Sequence, residues 1–173
     1  MKITSDLFTA FLKCPTKCYL RSLGEPGTGN EYADWVQAQA EAYQAAGVER
    51  LRRDTPQDEY LTSPSLDQLK QTKWQLAVDV LAGTGTLETR IHALERERPV
   101  GQGKAAQFVP VRFVPNNKLG RDEKFLLGFD ALALSRMLGP TSGAPSSSVP
   151  KPMAGKPRVS VFPARRGQNW PSR

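Results

Sequence analysis

The sequence is poor in the residues that most often cross-link a fold or do chemistry in it. It holds one histidine, His92, and two cysteines, Cys14 and Cys18. With one His and no matching Cys/His set, a zinc site and a His-based nucleophilic triad are excluded. Two cysteines this close in sequence make no disulfide framework. No apolar run approaches the roughly 18 residues that a membrane-spanning helix needs. The opening MKITSDLFTAFLKC places polar residues where a signal peptide carries its apolar stretch. No membrane partner and a cytoplasmic location are therefore expected. Acid is missing from whole segments: no Asp or Glu occurs from residue 98 to 121, nor anywhere in 140–173. Two glycine-containing stretches, GTGNEY and LAGTGTLE, lack the Gly-Lys-Ser/Thr of a phosphate loop and read as turns.

What is present divides into two parts. The 173 residues are one domain's worth of material. The formal charge is +7, which spread over a fold would point to a polyanionic partner. It is concentrated instead: residues 140–173 hold six bases, leaving 18 bases against all 17 acids in residues 1–139. The same last 34 residues contain seven Pro, six Ser and three Gly, with no apolar periodicity. Such a composition buries too little apolar surface to offset roughly 1–2 kcal/mol of backbone entropy per residue, so a disordered basic tail is expected there.

Within residues 1–139 the spacing predicts a helix over 3–23, capped by Thr4 or Ser5 and perturbed at Pro15, so either one helix or two short ones. A second helix is predicted from Asn30, with Tyr32, Trp35, Val36, Tyr43 and Ala46 at helical spacing and Gly47 as its stop. Leu66, Leu69, Leu76 and Val80 suggest a third helix over 66–82. LETRIHALERER then alternates with a period of two, which places Leu87, Ile91 and Ala93 on one strand face and Glu88, Arg90 and His92 on the other. QFVPVRFV (107–114) reads as the return strand of a long hairpin, with Pro110 pointing to an edge or a strand start. A last helix is expected from a cap at Asp122, through Phe125, Leu126, Phe129, Leu132, Ala133 and Met137, to Gly139.

Two segments carry a family resemblance. FLKCPTKCYLRSLG (11–24), a Cys-Pro on an N-terminal helix followed by an aromatic and aliphatic pair, resembles the opening of RecB-like nucleases. QFVPVRFVPNNKLGRDEKFLLGFDALALSRMLG (107–139) resembles the segment where those domains carry a catalytic strand and then a helix ending in Met-Leu-Gly. The resemblance implies an α/β (α+β) fold: N-terminal helices, then a β-hairpin and a helix, as a partial restriction-endonuclease-like fold over 1–139. It further implies the PD-(D/E)XK chemistry of the superfamily. There, an Asp on one strand and a Glu-x-Lys on the next bind Mg2+ or Mn2+ and activate a water for phosphodiester hydrolysis. In related families the first cysteine, here Cys14, is one of four ligands of a 4Fe-4S iron–sulfur cluster.

This sequence departs from that pattern at each point. IHALER puts His92 where the Asp is expected. PVRFV puts Arg112 at the Glu and Val114 at the Lys. In the last helix Leu126 stands at a Gln position and Asp130 at an aromatic one. A one-residue slip restores nothing, because that strand and its flanks carry no acid. Cys14 has only Cys18 for company, so no cofactor is expected in this chain. The expected function is thus a truncated RecB-like DNA nuclease domain, inactive in this form, whose parent has a helicase neighbour by resemblance. The composition change at Gly139 further suggests a shifted or early-ended reading frame. The alternative is a non-catalytic module that binds nucleic acid weakly through the tail residues Lys151, Lys156, Arg158, Arg165 and Arg166. A surviving enzyme would have to use displaced carboxylates such as Glu88, Glu95 or Asp130. Helices needing more sheet than two strands provide would leave apolar surface exposed and favour self-association.

Overall fold

The computed structural model describes residues 1–25, 27, 29–97, 106–115, 119–139 and, for backbone only, 158–160. Its elements run β1 (Ile3–Thr4), α1 (Ser5–Lys13), α2 (Pro15–Ser22), α3 (Glu31–Arg53), β2 (Tyr60–Thr62), α4 (Leu66–Lys70), β3 (Leu76–Gly83), β4 (Leu87–Glu97), β5 (Gln107–Phe113), α5 (Arg121–Leu138) and β6 (Arg158–Ser160). The strands make one mixed sheet in the order β2-β3-β4-β5-β6, with β1 parallel to the start of β4. The class is mixed α/β.

Local chemistry accounts for most boundaries. The Thr4 hydroxyl accepts from the Leu7 amide and caps α1, while Pro15, in the first turn of α2, separates the two helices. The Asn30 side chain accepts from the Ala33 amide to start α3. Ser65 and Gln68 form a reciprocal capping box on α4. Gly139, at φ 70°, ends α5 in a conformation that favours glycine.

Several boundaries differ from the sequence reading. The segment 66–82 is not one helix but the single turn of α4 followed by β3. Leu76, Ala77, Val78, Val80 and Ala82 are all buried, because β3 lies between β2 and β4 with helices on both faces. A strand covered on both sides reads as a continuous apolar run, which periodicity cannot tell from a buried helix. The hairpin of β4 and β5 forms as expected, but β3 widens the sheet beyond two strands. Gly47 does not stop α3, which continues to Arg53; the Phe113 ring lies against its backbone instead. Gly120, not Asp122, precedes α5, and Asp122 sits in its first turn. In the expected tail, Arg158–Ser160 pairs in parallel with Val111–Phe113. That is a correction for those three residues; Lys151, Lys156, Arg165 and Arg166 lie outside the described ones.

Two apolar cores sit on opposite faces of the sheet. One joins Leu69 of α4 and Phe129, Ala133 and Leu134 of α5 to Val80, Ile91 and Leu94, with Phe8 of α1 stacked on Phe129 at 4.9 Å. The other places Tyr43, Val48 and Leu51 of α3 over Leu76, Val78, Ala93, Val111 and Phe113. Val78 and Val80 therefore face opposite sides although they are two residues apart, and so do Ile91 and Ala93. Simple alternation would keep each pair together, so Ala93 is not on the face expected for it. The change of side falls at Asp79, whose φ is 54°, a left-handed conformation that Asp tolerates better than most residues. The β3–β4 register passes from Val78↔Ala93 to Val80↔Ile91 with Asp79 and His92 left out between them.

Candidate functional site

Polar side chains gather around this break in the sheet. On β3, the Asp79 carboxylate accepts from the Ser63 hydroxyl at 2.7 Å and from two Arg90 nitrogens. Ser63 also has a positive φ, 44°, so two strained residues are tied to each other by one hydrogen bond. Partial burial raises the Asp79 carboxyl, but bonds from Ser63 and Arg90, together with the Arg90 charge, outweigh it and hold the group below its ordinary value.

One strand further, the pairing of β4 with β5 ends at Ala93↔Val111. His92 takes over from the ladder there: its Nδ1 accepts from the Phe113 amide at 3.1 Å. Burial pushes its pKa down to about 4, the Arg112 cation adds to this, and Asp79 only partly opposes it. The ring is therefore neutral at pH 7, as an acceptor nitrogen requires.

This has a measurable consequence. The folded pKa lies below the ordinary 6.5, so the stability contributed by neutral His92 is complete above that pH. It is lost as the pH falls from 6.5 through 4, and the gap corresponds to about 3 kcal/mol. His92→Asn keeps an acceptor near the Nδ1 position but does not titrate. Its urea midpoint, followed against pH, is expected to fall much less across that window than the parent's; equal slopes would show that His92 is not the group responsible.

Behind His92 lies the most buried charge pair described. Arg112 of β5 reaches Asp130 of α5 through Nε at 2.7 Å and Nη2 at 2.9 Å, and the Thr89 hydroxyl donates to the same carboxylate at 2.6 Å. The Arg112 side chain is 13% exposed and that of Asp130 is 0%. Both carboxylate oxygens are taken, in the two-pronged arrangement that suits guanidinium.

The sequence-derived positions can now be placed. His92 and Arg112 come together on neighbouring strands. Val114 is buried just past β5, and Leu126 is half-buried on α5; neither has a ligating atom. Among the displaced carboxylates, Asp130 is held by Arg112 and Thr89, and Glu88 pairs with Lys2 at 2.7 Å. Cys14 is exposed between α1 and α2, with its thiol pKa lowered chiefly by the Lys17 backbone amide. Cys18, one helical turn on, is the second and last thiol in the sequence.

These donors do not fit the groups that the resemblance implies. A divalent ion needs hard oxygens, whereas the positions concerned offer a guanidinium, an imidazole whose Nδ1 is occupied, and two aliphatic chains. A 4Fe-4S cluster needs four ligands, and two cysteines are all the chain has. Among the described residues no group of three or more His, Cys, Asp or Glu is placed to hold a metal. A cavity of 610 Å3 lined by Asp58, Glu59, Lys73, Trp74 and Arg96 includes none of these site residues.

Sequence reasoning missed Asp79, Ser63 and Thr89. Asp79 lay inside the segment read as a helix, although an acid within LAVDVLAG is itself a signal of a special position. Compared with protein-family models, with curated proteins and with solved structures, the chain gives no match. No described helix is long and apolar enough to cross a membrane.

Proposed function

We propose that the chain is a RecB-like domain of the PD-(D/E)XK type in which metal-dependent cleavage has been lost. The observation that carries this reading is the Arg112–Asp130 pair. At the expected acid of the second strand stands a cation whose charge is already spent on a buried carboxylate. His92, on the strand expected to supply the first acid, is neutral and serves a backbone amide. The polar cluster thus holds strands and α5 together rather than presenting open ligands. On this reading the protein is cytoplasmic, its wider context is DNA processing beside a helicase, and this domain contributes structure or binding rather than chemistry.

Purified protein is expected to leave single- and double-stranded DNA intact in Mg2+ or Mn2+. Cleavage that disappears with a chelator would refute the proposal. A second reading, nucleic-acid binding through the tail, is favoured by the six bases of residues 140–173. The same preparation would then bind DNA with a salt dependence set by a few phosphate contacts and lose that binding when 140–173 are deleted. Binding unchanged by the deletion would count against the tail.

A further inference from the structure

Both thiols of the chain belong to one short helix that is barely held down. Cys14 ends α1 and begins α2: its amide donates to the Ala10 carbonyl at 2.8 Å, and its own carbonyl accepts from the Cys18 amide at 3.1 Å. That second bond sets the two cysteines one helical turn apart, on the same side of α2. Cys14 is exposed and Cys18 half-buried, and both are free thiols. The Cys14 backbone is extended, at φ −163° and ψ 115°, where the chain enters α2. There the Lys17 backbone amide, helped by Thr16 and by the Lys17 charge, keeps the thiol pKa below its ordinary value.

The helix itself resists little. α2 has eight residues and none is buried; Cys18 and Ser22 alone are half-covered. A helix so short has little stability of its own, and loosening it gives up little apolar burial. Cβ atoms one turn apart lie about 5–6 Å from each other, whereas a disulfide needs about 3.5–4.5 Å. Rotating the side chains leaves that distance unchanged, so a bond would have to draw the two backbones together and disturb the Cys18–Cys14 hydrogen bond.

We infer that Cys14 and Cys18 are a reversible redox pair, and that closing the bond between them loosens the first turn of α2. The oxidant is a hydroperoxide. The Cys14 thiolate attacks its outer oxygen and the O–O bond breaks; the leaving alkoxide, or hydroxide from hydrogen peroxide, takes up the proton that the thiol gave up, and Cys14 becomes a sulfenic acid. The Cys18 sulfur then attacks the Cys14 sulfur, the S–O bond breaks, and water leaves with the Cys18 proton. Two thiols are oxidised to one disulfide and one peroxide is reduced. A thiol reductant reverses the change, and a bridge that is both strained and exposed is easily reduced. The pair therefore responds to conditions rather than stapling the fold. It draws on no part of the nuclease reading.

The test treats the full chain with equimolar hydrogen peroxide and digests it with trypsin without reduction. Cleavage after Lys13, Lys17 and Arg21 releases residues 14–17 and 18–21 as separate peptides. They should appear joined in the mass spectrum and come apart with a thiol reductant. Cys18→Ser should stop at the sulfenic acid, which dimedone labels at residue 14. Cys14→Ser should lose its remaining thiol at least about tenfold more slowly than Cys18→Ser does. Hydrogen exchange in the oxidised parent should quicken in α2 and stay unchanged in α5. Circular dichroism confirms that both variants keep the fold. A bridge between two copies, a parent that ends as an unbridged sulfur acid, equal rates for the two variants, or unchanged exchange in α2 would each overturn the inference.

Discussion

Asp130→Ala is expected to lower the unfolding free energy by about 3–5 kcal/mol, the usual cost of stranding one partner of a buried ion pair. The reason is what the substitution leaves behind. Arg112 would keep its charge at 13% exposure with both of its carboxylate bonds gone. Thr89 would lose its acceptor as well. The carboxylate itself is a minor part of the loss, and this is where the prediction is sharp. Replacing both members, Asp130→Leu with Arg112→Met, removes the stranded charge and is expected to recover most of the stability, since a buried pair gains little over well-packed apolar residues. Urea denaturation of the parent, Asp130→Leu, Arg112→Met and the double variant gives the coupling energy directly. Additive losses in the double variant would show that the pair is not a closed unit and would weaken the argument that Arg112 is unavailable for other work.

The second large effect concerns the close approach of α3 to β5. Phe113 is 3% exposed, and its ring fills the space that a side chain at position 47 would occupy. Phe113→Ala is expected to cost about 3–5 kcal/mol through the cavity it opens between α3 and the sheet. Gly47→Ala sets two effects against each other. Alanine in a helix interior gains about 1 kcal/mol over glycine, but the added methyl would overlap a ring packed too tightly to move. Overpacking costs about 1–3 kcal/mol, so a net loss is expected. The sign should reverse in the Phe113→Ala background, where the methyl enters the cavity and the helix gain remains. Thermal melts of the four proteins decide it. Gly47→Ala stabilising the parent would mean that the ring does not lie where the structure places it.

These two contacts show what could and could not be read from the chain. The β4–β5 hairpin was legible because a period-two run is followed, across a glycine loop, by a segment rich in β-branched and aromatic residues. The start of α3 was legible because Asn30 stands before a helical stripe, and the end of α5 because Gly139 follows one. β3 was not, since a strand buried on both faces and a buried helix show the same unbroken apolar residues. Gly47 looked like a helix stop because glycine is common there; its role is set by a ring from residue 113, far away in sequence. The site was legible only as positions. His92 and Arg112 could be flagged as residues out of place, but that Arg112 would close on Asp130, or that Asp79 would turn the sheet over, depends on register, which composition does not carry.

The place of β1 has a bearing on the order in which the molecule assembles. Ile3 and Thr4 lie beside Leu87 and Glu88, and Lys2 reaches Glu88 across 86 residues of sequence. Residues 2–4 therefore cannot take their final places until the segment around residue 87 has followed them, whereas the β3–β4 hairpin can close as soon as it is made. Long-range closures of this kind are slow compared with local ones. The hairpin is thus a natural starting point for folding and β1 a late arrival, with α1 and α2 waiting as a tethered pair until that strand docks.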